Sequence, residues 1–142
     1  MPSDKRKFGD IGEKIAARWL ENRGFNILDK NYLKKWGEID IVAKSGGVLR
    51  FIEVKTVKRD LLFYNKKGVI GIRGEEYRPE ENVHPKKLER LHRVIQSYLM
   101  EKEALKPDAS GATGEWQLDI VAVYLDEPHK LAKVEMMENI VG

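Results

Sequence analysis

The stretch GEIDIVAKSGGVLRFIEVKT, residues 37–56, restricts the fold more than any other because it holds a glycine pair at its centre. Apolar and polar residues alternate on both sides of Gly46-Gly47, as expected for two half-buried strands. A Gly-Gly pair between such runs is typical of a two-residue hairpin turn, since both turn positions need a positive φ. The stretch therefore predicts an antiparallel hairpin in which Ser45 pairs with Val48.

This register brings charged residues together at the open end of the hairpin. Counting outward from the turn places Asp40 opposite Glu53, and Glu38 opposite Lys55, and the alternation of side chains puts them all on one face. A shift of the register by two residues keeps Asp40 and Glu53 neighbours, whereas an odd shift breaks the apolar pattern. The prediction of a charged cluster therefore withstands most errors in register. The other face is predicted to hold Ile39, Ile41, Ala43, Ile52 and Val54, together with Arg50.

Two acidic residues on adjacent strands need a compensating positive charge. At a separation of about 5 Å and an effective dielectric constant near 20, two carboxylates repel each other by about 3 kcal/mol. A divalent cation relieves more of this repulsion than Lys55 can, and Mg²⁺ is the hard cation that one or two carboxylates hold at sites of phosphate chemistry. Asp40 and Glu53 are the predicted ligands, with the backbone carbonyl of Val54 as a third ligand and Mn²⁺ as a substitute ion. Lys55 would either activate an attacking water or stabilise charge in the transition state.

The same residues have a competing interpretation without any chemistry. Asp40, Glu53 and Lys55 could form solvated cross-strand salt bridges, which are common in soluble proteins and contribute little energy. The residues alone leave both interpretations open.

The rest of the chain predicts one α/β domain with a mixed β-sheet flanked by helices. Apolar residues recur at intervals of three and four in two segments, which predicts two helices, and Gly24 stands where a helix C-cap glycine belongs. Polar residues, three glycines and a proline in 57–82 predict a long loop with a short strand at 69–72, and such loops are usually functional or mobile. A polar connection through Asn31 and Lys34 is expected after the first strand. The predicted elements are helices at Asp4–Arg23 and Pro85–Ala104 and strands at Phe25–Leu28, Glu38–Ala43, Val48–Lys55 and Trp116–Leu125, in the order α-β-β-β-α-β, with a further edge strand at Lys133–Met137.

Composition excludes several classes of protein. The chain has 142 residues and no cysteine, which excludes disulfides, thiolate zinc sites and a cysteine nucleophile. The sequence contains neither an apolar run long enough to span a bilayer nor a signal-peptide pattern, so we expect a cytoplasmic protein without a membrane partner. The net charge of +3 is compatible with a polyanionic partner but does not require one.

Asp40 followed by Glu53-Val54-Lys55 resembles the signature of the PD-(D/E)xK nuclease superfamily, in which an acidic residue on one strand precedes Glu-x-Lys on the next. More specifically, the chain resembles the YraN-like family of predicted endonucleases, which is related to archaeal Holliday junction resolvases. The resemblance implies a restriction-endonuclease-like core and a single nuclease-like domain over residues 1–142. The matching segments are, in order, GDIGEKIAARWLENRGFNIL, KNYLKKWGEIDIVA, FIEVKT, VHPKKLERLHRVIQSYL, LDIVAVYL and VEMMENIV.

The resemblance adds residues to the predicted site. It implies that Glu13, on the first helix, reaches the same metal ion, and that Lys87, at the start of the second helix, contacts phosphate. The family's arginine after Glu-Val-Lys-Thr is Val57 here, so Lys58 or Arg59 would have to make that phosphate contact.

Basic residues of the long loop are further candidates for binding DNA. Lys66, Lys67 and Arg73 lie near Tyr64 and Tyr77 in the sequence. Base stacking combined with phosphate neutralisation is the usual chemistry of strand binding, so the loop is predicted to contact the nucleic acid.

The leading hypothesis is a Mg²⁺-dependent endonuclease that hydrolyses phosphodiester bonds in DNA, with branched or flapped structures among its substrates. The resolvases that the chain resembles are dimers, so the resemblance implies a homodimer. Two alternatives stay open: a nucleic-acid-binding module that keeps the nuclease scaffold without turnover, and a purely structural or adaptor protein. Salt-sensitive binding of nucleic acid without cleavage would indicate the binding module. Absence of both binding and cleavage would indicate the structural or adaptor protein.

Overall fold

Five strands in one sheet and two helices make up the part of the chain that the structure, a computed structural model, describes: residues 3–61, 84–102 and 115–140. The strands follow the order β1-β2-β3-β4-β5 in the sheet, and β3 pairs with β4 in parallel while the other neighbours are antiparallel. The mixed sheet flanked by helices agrees with the predicted α/β class and is consistent with a restriction-endonuclease-like core. The elements are α1 (Asp4–Asn22), β1 (Asn26–Lys34), β2 (Gly37–Ser45), β3 (Val48–Lys58), α2 (Pro85–Glu101), β4 (Trp116–Asp126) and β5 (Leu131–Met137).

The glycine pair forms the predicted turn between β2 and β3. Gly46 and Gly47 have φ values of 59° and 81°, and a two-residue hairpin turn requires such positive values. Ser45 pairs with Val48, and the ladder continues in the predicted register.

The ladder ends before it reaches the charged residues, and this corrects part of the prediction. Its last pair is Ile41 with Ile52, so Asp40 and Glu53 stand one position beyond it. Glu38 pairs with a residue of β1 and not with Lys55 on β3.

The alternation of side chains along β2 is broken at Asp40. Ile41 packs in the core beneath α1, whereas Ile39 packs in the core beneath α2. A regular strand would place both residues on one face, so the prediction that Ile39 shares a face with Ile41 is wrong. In the neighbouring strand β1, Asn31 lies between the residues that pair with Ile39 and Ile41. Asn31 has a φ of 51°, so the irregularity extends into β1.

The strand β1 is longer than predicted. The segment through Asn31 and Lys34, predicted to be a polar connection, belongs to the strand. Because β1 lies at the edge of the sheet, solvent-facing positions tolerate Lys and Asn, and edge strands often carry such residues. The predicted edge strand near the C-terminus is confirmed as β5, while the strand predicted at 69–72 lies outside the described residues.

Each face of the sheet carries one helix. The residue Gly24, with a φ of 88°, follows the end of α1, as predicted for a C-cap glycine. Among the described helices, neither is long and apolar enough to cross a membrane. The core between α1 and the sheet is formed by Ala16, Ala17, Leu20, Ile41, Ala43, Ile52, Val121 and Val123. The core between α2 and the sheet is formed by Ile39, Val42, Phe51, Leu91, Val94, Ile95, Tyr98 and Leu118.

Candidate active site

Two buried carboxyl groups meet where β2 leaves β3. Asp40 and Glu53 are only 8% and 7% exposed, and their side chains are hydrogen-bonded to each other. The backbone N–H of Val54 donates to Asp40 Oδ2 at 2.8 Å, so the Asp40 side chain bridges the two strands beyond the end of the ladder. The predicted pair is therefore brought together, but by side-chain contacts and not as a ladder pair.

Burial and mutual repulsion divide the charge of this pair unequally. Burial and the hydrogen bond with Glu53 raise the pKa of Asp40 to about 9. Burial also acts to raise the pKa of Glu53, but hydrogen bonds with Asp40 and Lys87 outweigh it, so that this pKa is lowered. At neutral pH Asp40 therefore holds a proton while Glu53 is ionised.

The donor set of this pair fits a divalent cation. Carboxylate oxygens are the ligands that Mg²⁺ and Mn²⁺ prefer, and Asp40 and Glu53 present them side by side. A divalent ion would take the place of the shared proton and neutralise both carboxylates, as expected where metal binding and proton release are coupled. The carbonyl of Val54 remains a predicted third ligand.

Two lysines converge on the same oxygen of Glu53. Lys55 Nζ lies 3.7 Å from Glu53 Oε2, and Lys87 Nζ, from the first turn of α2, forms an ion pair with that atom. Burial lowers the pKa of Lys55, and the hydrogen bond with Lys87 lowers it further. The pKa of Lys87 is raised, because the interactions with Glu53 outweigh the opposing effect of burial. Of the two lysines, Lys55 therefore gives up its proton more readily.

Lys87 is held in place by the start of α2. Pro85 occupies the first turn of the helix, and the side chain of His84 caps it by accepting the Lys86 N–H at Nδ1, 3.2 Å away. A cap and an N-terminal proline both fix where a helix begins. His84 thus has a structural role beside the site.

Glu13 lies at the border of the site. Its Oε1 accepts a hydrogen bond from Asn31 Nδ2 at 2.8 Å, and its charge contributes to the raised pKa of Asp40. Burial raises the pKa of Glu38, and the charge of Glu13 adds to that effect. Glu38, predicted to pair with Lys55, therefore belongs to the acidic group around Glu13.

The close approach of α1 to β3 brings Glu13 near the sheet. A Cβ atom on Gly12 would lie 1.8 Å from Thr56 Oγ1. This distance is far shorter than a van der Waals contact, so the present packing requires glycine at this position. Thr56 immediately follows Lys55 in the chain, so the helix crosses β3 beside the site.

Comparison with known proteins gives the family. The family model described as "Uncharacterised protein family UPF0102" matches residues 12–123. The chain belongs to the UPF0102 family. A UPF0102 protein of Alkaliphilus oremlandii is 36% identical over 136 residues, which cover 94% of this chain and 97% of that protein. A relative in Pelotomaculum thermopropionicum is 34% identical, and the alignment covers 98% of this chain and 98% of the relative. A relative in Campylobacter lari is 31% identical, and the alignment covers 94% of this chain and 92% of the relative.

The region matched to UPF0102 contains the whole candidate site. The match begins at Gly12, which contacts β3, and ends within β4. Membership of the predicted family is confirmed, whereas membership of the PD-(D/E)xK nuclease superfamily stays a prediction. The site residues inside the matched region are Glu13, Asp40, Glu53, Val54, Lys55 and Lys87.

The predicted DNA-binding residues of this UPF0102 protein are only partly described. Lys58 is exposed at the end of β3, and the guanidinium of Arg59 lies 5.5 Å from the ring centre of Tyr124. Lys87, predicted to contact phosphate, is in contact with Glu53. The three predicted loop residues, Lys66, Lys67 and Arg73, lie outside the described residues.

Sequence reasoning missed a group of side chains at the far end of β4 whose atoms are of the types that ligate metals. Donor atoms of Asp60, Asp126 and His129 lie within 4.8 Å of one another. Asp126 already accepts the backbone N–H of Leu61 at 3.0 Å, and His129 Nδ1 lies 2.8 Å from Asp126 Oδ2. These hydrogen bonds account for the buried position of Asp126 and anchor the turn that follows β4.

Proposed function

We propose that this UPF0102 protein is a metal-dependent endonuclease that hydrolyses phosphodiester bonds in DNA. The observation that carries the proposal is the buried, hydrogen-bonded pair of Asp40 and Glu53, with the ammonium groups of Lys55 and Lys87 on one Glu53 oxygen. Clusters of buried ionisable groups with shifted pKa values are typical of active sites. The low exposure of both carboxyl groups argues against the interpretation as solvated salt bridges.

Asp40 and Glu53 would hold the ion, with the carbonyl of Val54 and the carboxylate of Glu13 as further oxygen donors. The resemblance to PD-(D/E)xK nucleases supports this assignment, since the acidic residue and Glu-x-Lys stand at the matching positions. A bound Mg²⁺ or Mn²⁺ would supply Lewis-acid stabilisation of the charge on the phosphate.

Lys55 is suited to take the proton of the attacking water. Its lowered pKa increases the fraction of neutral amine that can accept a proton at Nζ. As water attacks phosphorus, a new P–O bond forms and the ester P–O bond breaks. The proton released by the water passes to Lys55, and the leaving alkoxide takes a proton from solvent.

DNA is the proposed substrate, with branched or flapped structures included on the basis of the resemblance to junction resolvases. Lys58 is the last residue of the strand that carries Glu53 and Lys55, and Arg59 follows it, so a duplex bound at the site would pass near their positive charges. By the same resemblance we propose a homodimer of single nuclease-like domains, and we propose a cytoplasmic location on the basis of the composition.

The test is a cleavage assay on linear, flapped and four-way DNA with Mg²⁺ or Mn²⁺. We expect the wild-type protein to cut at least one of these substrates. Asp40→Ala should lower the rate because it removes a ligand of the ion, and Lys55→Ala because it removes the group that accepts the proton, each on the order of 10²- to 10⁴-fold. Lys44→Ala, at the turn end of the same hairpin, is the matched control and should cut normally. Equal cleavage by wild type, Asp40→Ala and Lys55→Ala would show that the site is wrongly assigned. Salt-sensitive DNA binding without cleavage in either metal would favour the non-hydrolytic binding module instead.

A further inference from the structure

The positive charge of Lys87 lies inside the proposed metal site although the residue comes from a different layer of the fold. Lys87 stands in the first turn of α2, and its ammonium group is paired with Glu53 Oε2. The Glu53 side chain is 9% exposed, whereas that of Lys87 is 33% exposed. The lysine therefore reaches from the rim of the site to a buried carboxylate.

Lys87 and a divalent cation would bind the same carboxylate. Glu53 Oε2 is contacted by Lys87 Nζ, and Glu53 is one of the two carboxylates that would hold the ion. Two cations on one carboxylate repel each other strongly in a site of low dielectric constant. Binding of the ion therefore requires the ammonium group to withdraw or to weaken its contact.

The two lysines differ in their freedom to withdraw. Lys55 lies on β3, two residues from Glu53, and its Nζ is 3.7 Å from the carboxylate. Lys87 is attached to a helix on the other layer and has a long, partly exposed side chain. Its ammonium group can move toward solvent while its backbone stays in the helix.

We propose that Lys87 is a tethered counter-ion that competes with the divalent metal for Glu53. This inference rests on the proposed function, because it assumes that Glu53 is a metal ligand. In it, Lys87 neutralises Glu53 when no metal is bound, and metal binding displaces the ammonium group to the mouth of the site. Lys87 thus acts on the metal only through Glu53, and its removal should strengthen metal binding.

The experiment is a calorimetric titration of Mn²⁺, without DNA, into EDTA-treated protein. The variants are Lys87→Met, Lys87→Gln and the matched control Lys86→Met, which removes the same charge from the neighbouring, exposed position. We expect both Lys87 variants to bind Mn²⁺ on the order of tenfold more tightly than Lys86→Met, within the usual range of coupling between two binding events. We also expect the EDTA-treated Lys87 variants to unfold at a lower temperature than the control, and Mn²⁺ to remove that difference.

Two outcomes would overturn the inference in distinguishable ways. If wild type binds Mn²⁺, Asp40→Asn does not, and the Lys87 variants bind no more tightly than Lys86→Met, the metal site stands and the competition does not exist. If Mn²⁺ binds wild type and Asp40→Asn alike, or binds none of wild type, Asp40→Asn and the Lys87 variants, the proposed metal site itself is wrong and the inference falls with it. Circular dichroism shows whether each variant is folded, and having two Lys87 variants guards against a defect that is peculiar to one substitution.

Discussion

Arg50 Nε donates a hydrogen bond to Asp119 Oδ2 at 2.7 Å, and Asp119 is fully buried. The other oxygen of Asp119 accepts the Gln117 side chain at 2.8 Å and the Asn139 backbone N–H at 2.7 Å. The arginine on an otherwise apolar face of the hairpin is explained by this carboxylate on β4. The network also ties the segment after β5 to the centre of the sheet.

Removing one partner of this buried pair should be costly. Asp119→Ala removes the buried carboxylate beside Arg50 and leaves this arginine with the largely exposed Glu138. We expect a loss of about 3–5 kcal/mol in the free energy of unfolding. The control is Asp10→Ala, which removes the exposed partner of Arg6 and should change the stability by about 0.5 kcal/mol or less. Urea denaturation measures the free energy of unfolding of both variants. If Asp119→Ala loses no more of this free energy than Asp10→Ala, the network contributes little to stability.

The contact between α1 and β3 predicts opposite effects for two glycines of one helix. Gly12→Ala forces a methyl group against Thr56, and overpacking of this kind costs about 1–3 kcal/mol. A Cβ atom on Gly9 would meet nothing within 4 Å, so Gly9→Ala should stabilise the helix by about 0.5–1 kcal/mol. Thermal unfolding of the two variants beside wild type tests the difference. If Gly12→Ala is as stable as Gly9→Ala, the close packing of α1 on β3 is not present in solution.

The raised pKa of Asp40 makes stability depend on pH in a defined direction. Its folded pKa of about 9 exceeds the value of about 3.9 for an unfolded aspartate. The folded protein therefore holds a proton that the unfolded chain has lost, so the stabilising effect is complete below about pH 4 and declines as the pH rises toward 9. The slope for one proton is at most about 1.4 kcal/mol per pH unit.

Asp40→Asn isolates this effect. An asparagine still accepts the Val54 N–H and donates to Glu53, as protonated Asp40 does, but it does not titrate. In EDTA, we expect the variant to become increasingly more stable than wild type between pH 5 and pH 9. Denaturation series at several pH values provide the comparison, and a constant difference across this range would contradict the assigned protonation of Asp40.

Much of the candidate site could be predicted because local rules determine it. The Gly46-Gly47 turn requires positive φ at both positions, and that requirement fixes the pairing of Ser45 with Val48 and hence the approach of Asp40 to Glu53. The end of the ladder before Asp40 could not be predicted, because it depends on a side chain that bridges to the Val54 backbone.

Contacts between the helices and the sheet could not be predicted from the sequence pattern. The ion pair of Lys87 with Glu53 joins residues that are far apart in the chain, and no periodicity encodes which rotamer a long side chain adopts. The extent of β1 was missed for a related reason, since an edge strand can carry polar residues that otherwise indicate a loop.

The most direct test of the account is the position of a bound metal. Crystals soaked in Mn²⁺, measured near the manganese absorption edge, should show one strong anomalous peak between the carboxylates of Asp40 and Glu53, at roughly 2.0–2.3 Å from their oxygens. Crystals of Asp40→Asn should lack it. A peak only at Asp60, Asp126 and His129, or none between Asp40 and Glu53, would contradict the claim that this pair is the metal centre of a nuclease.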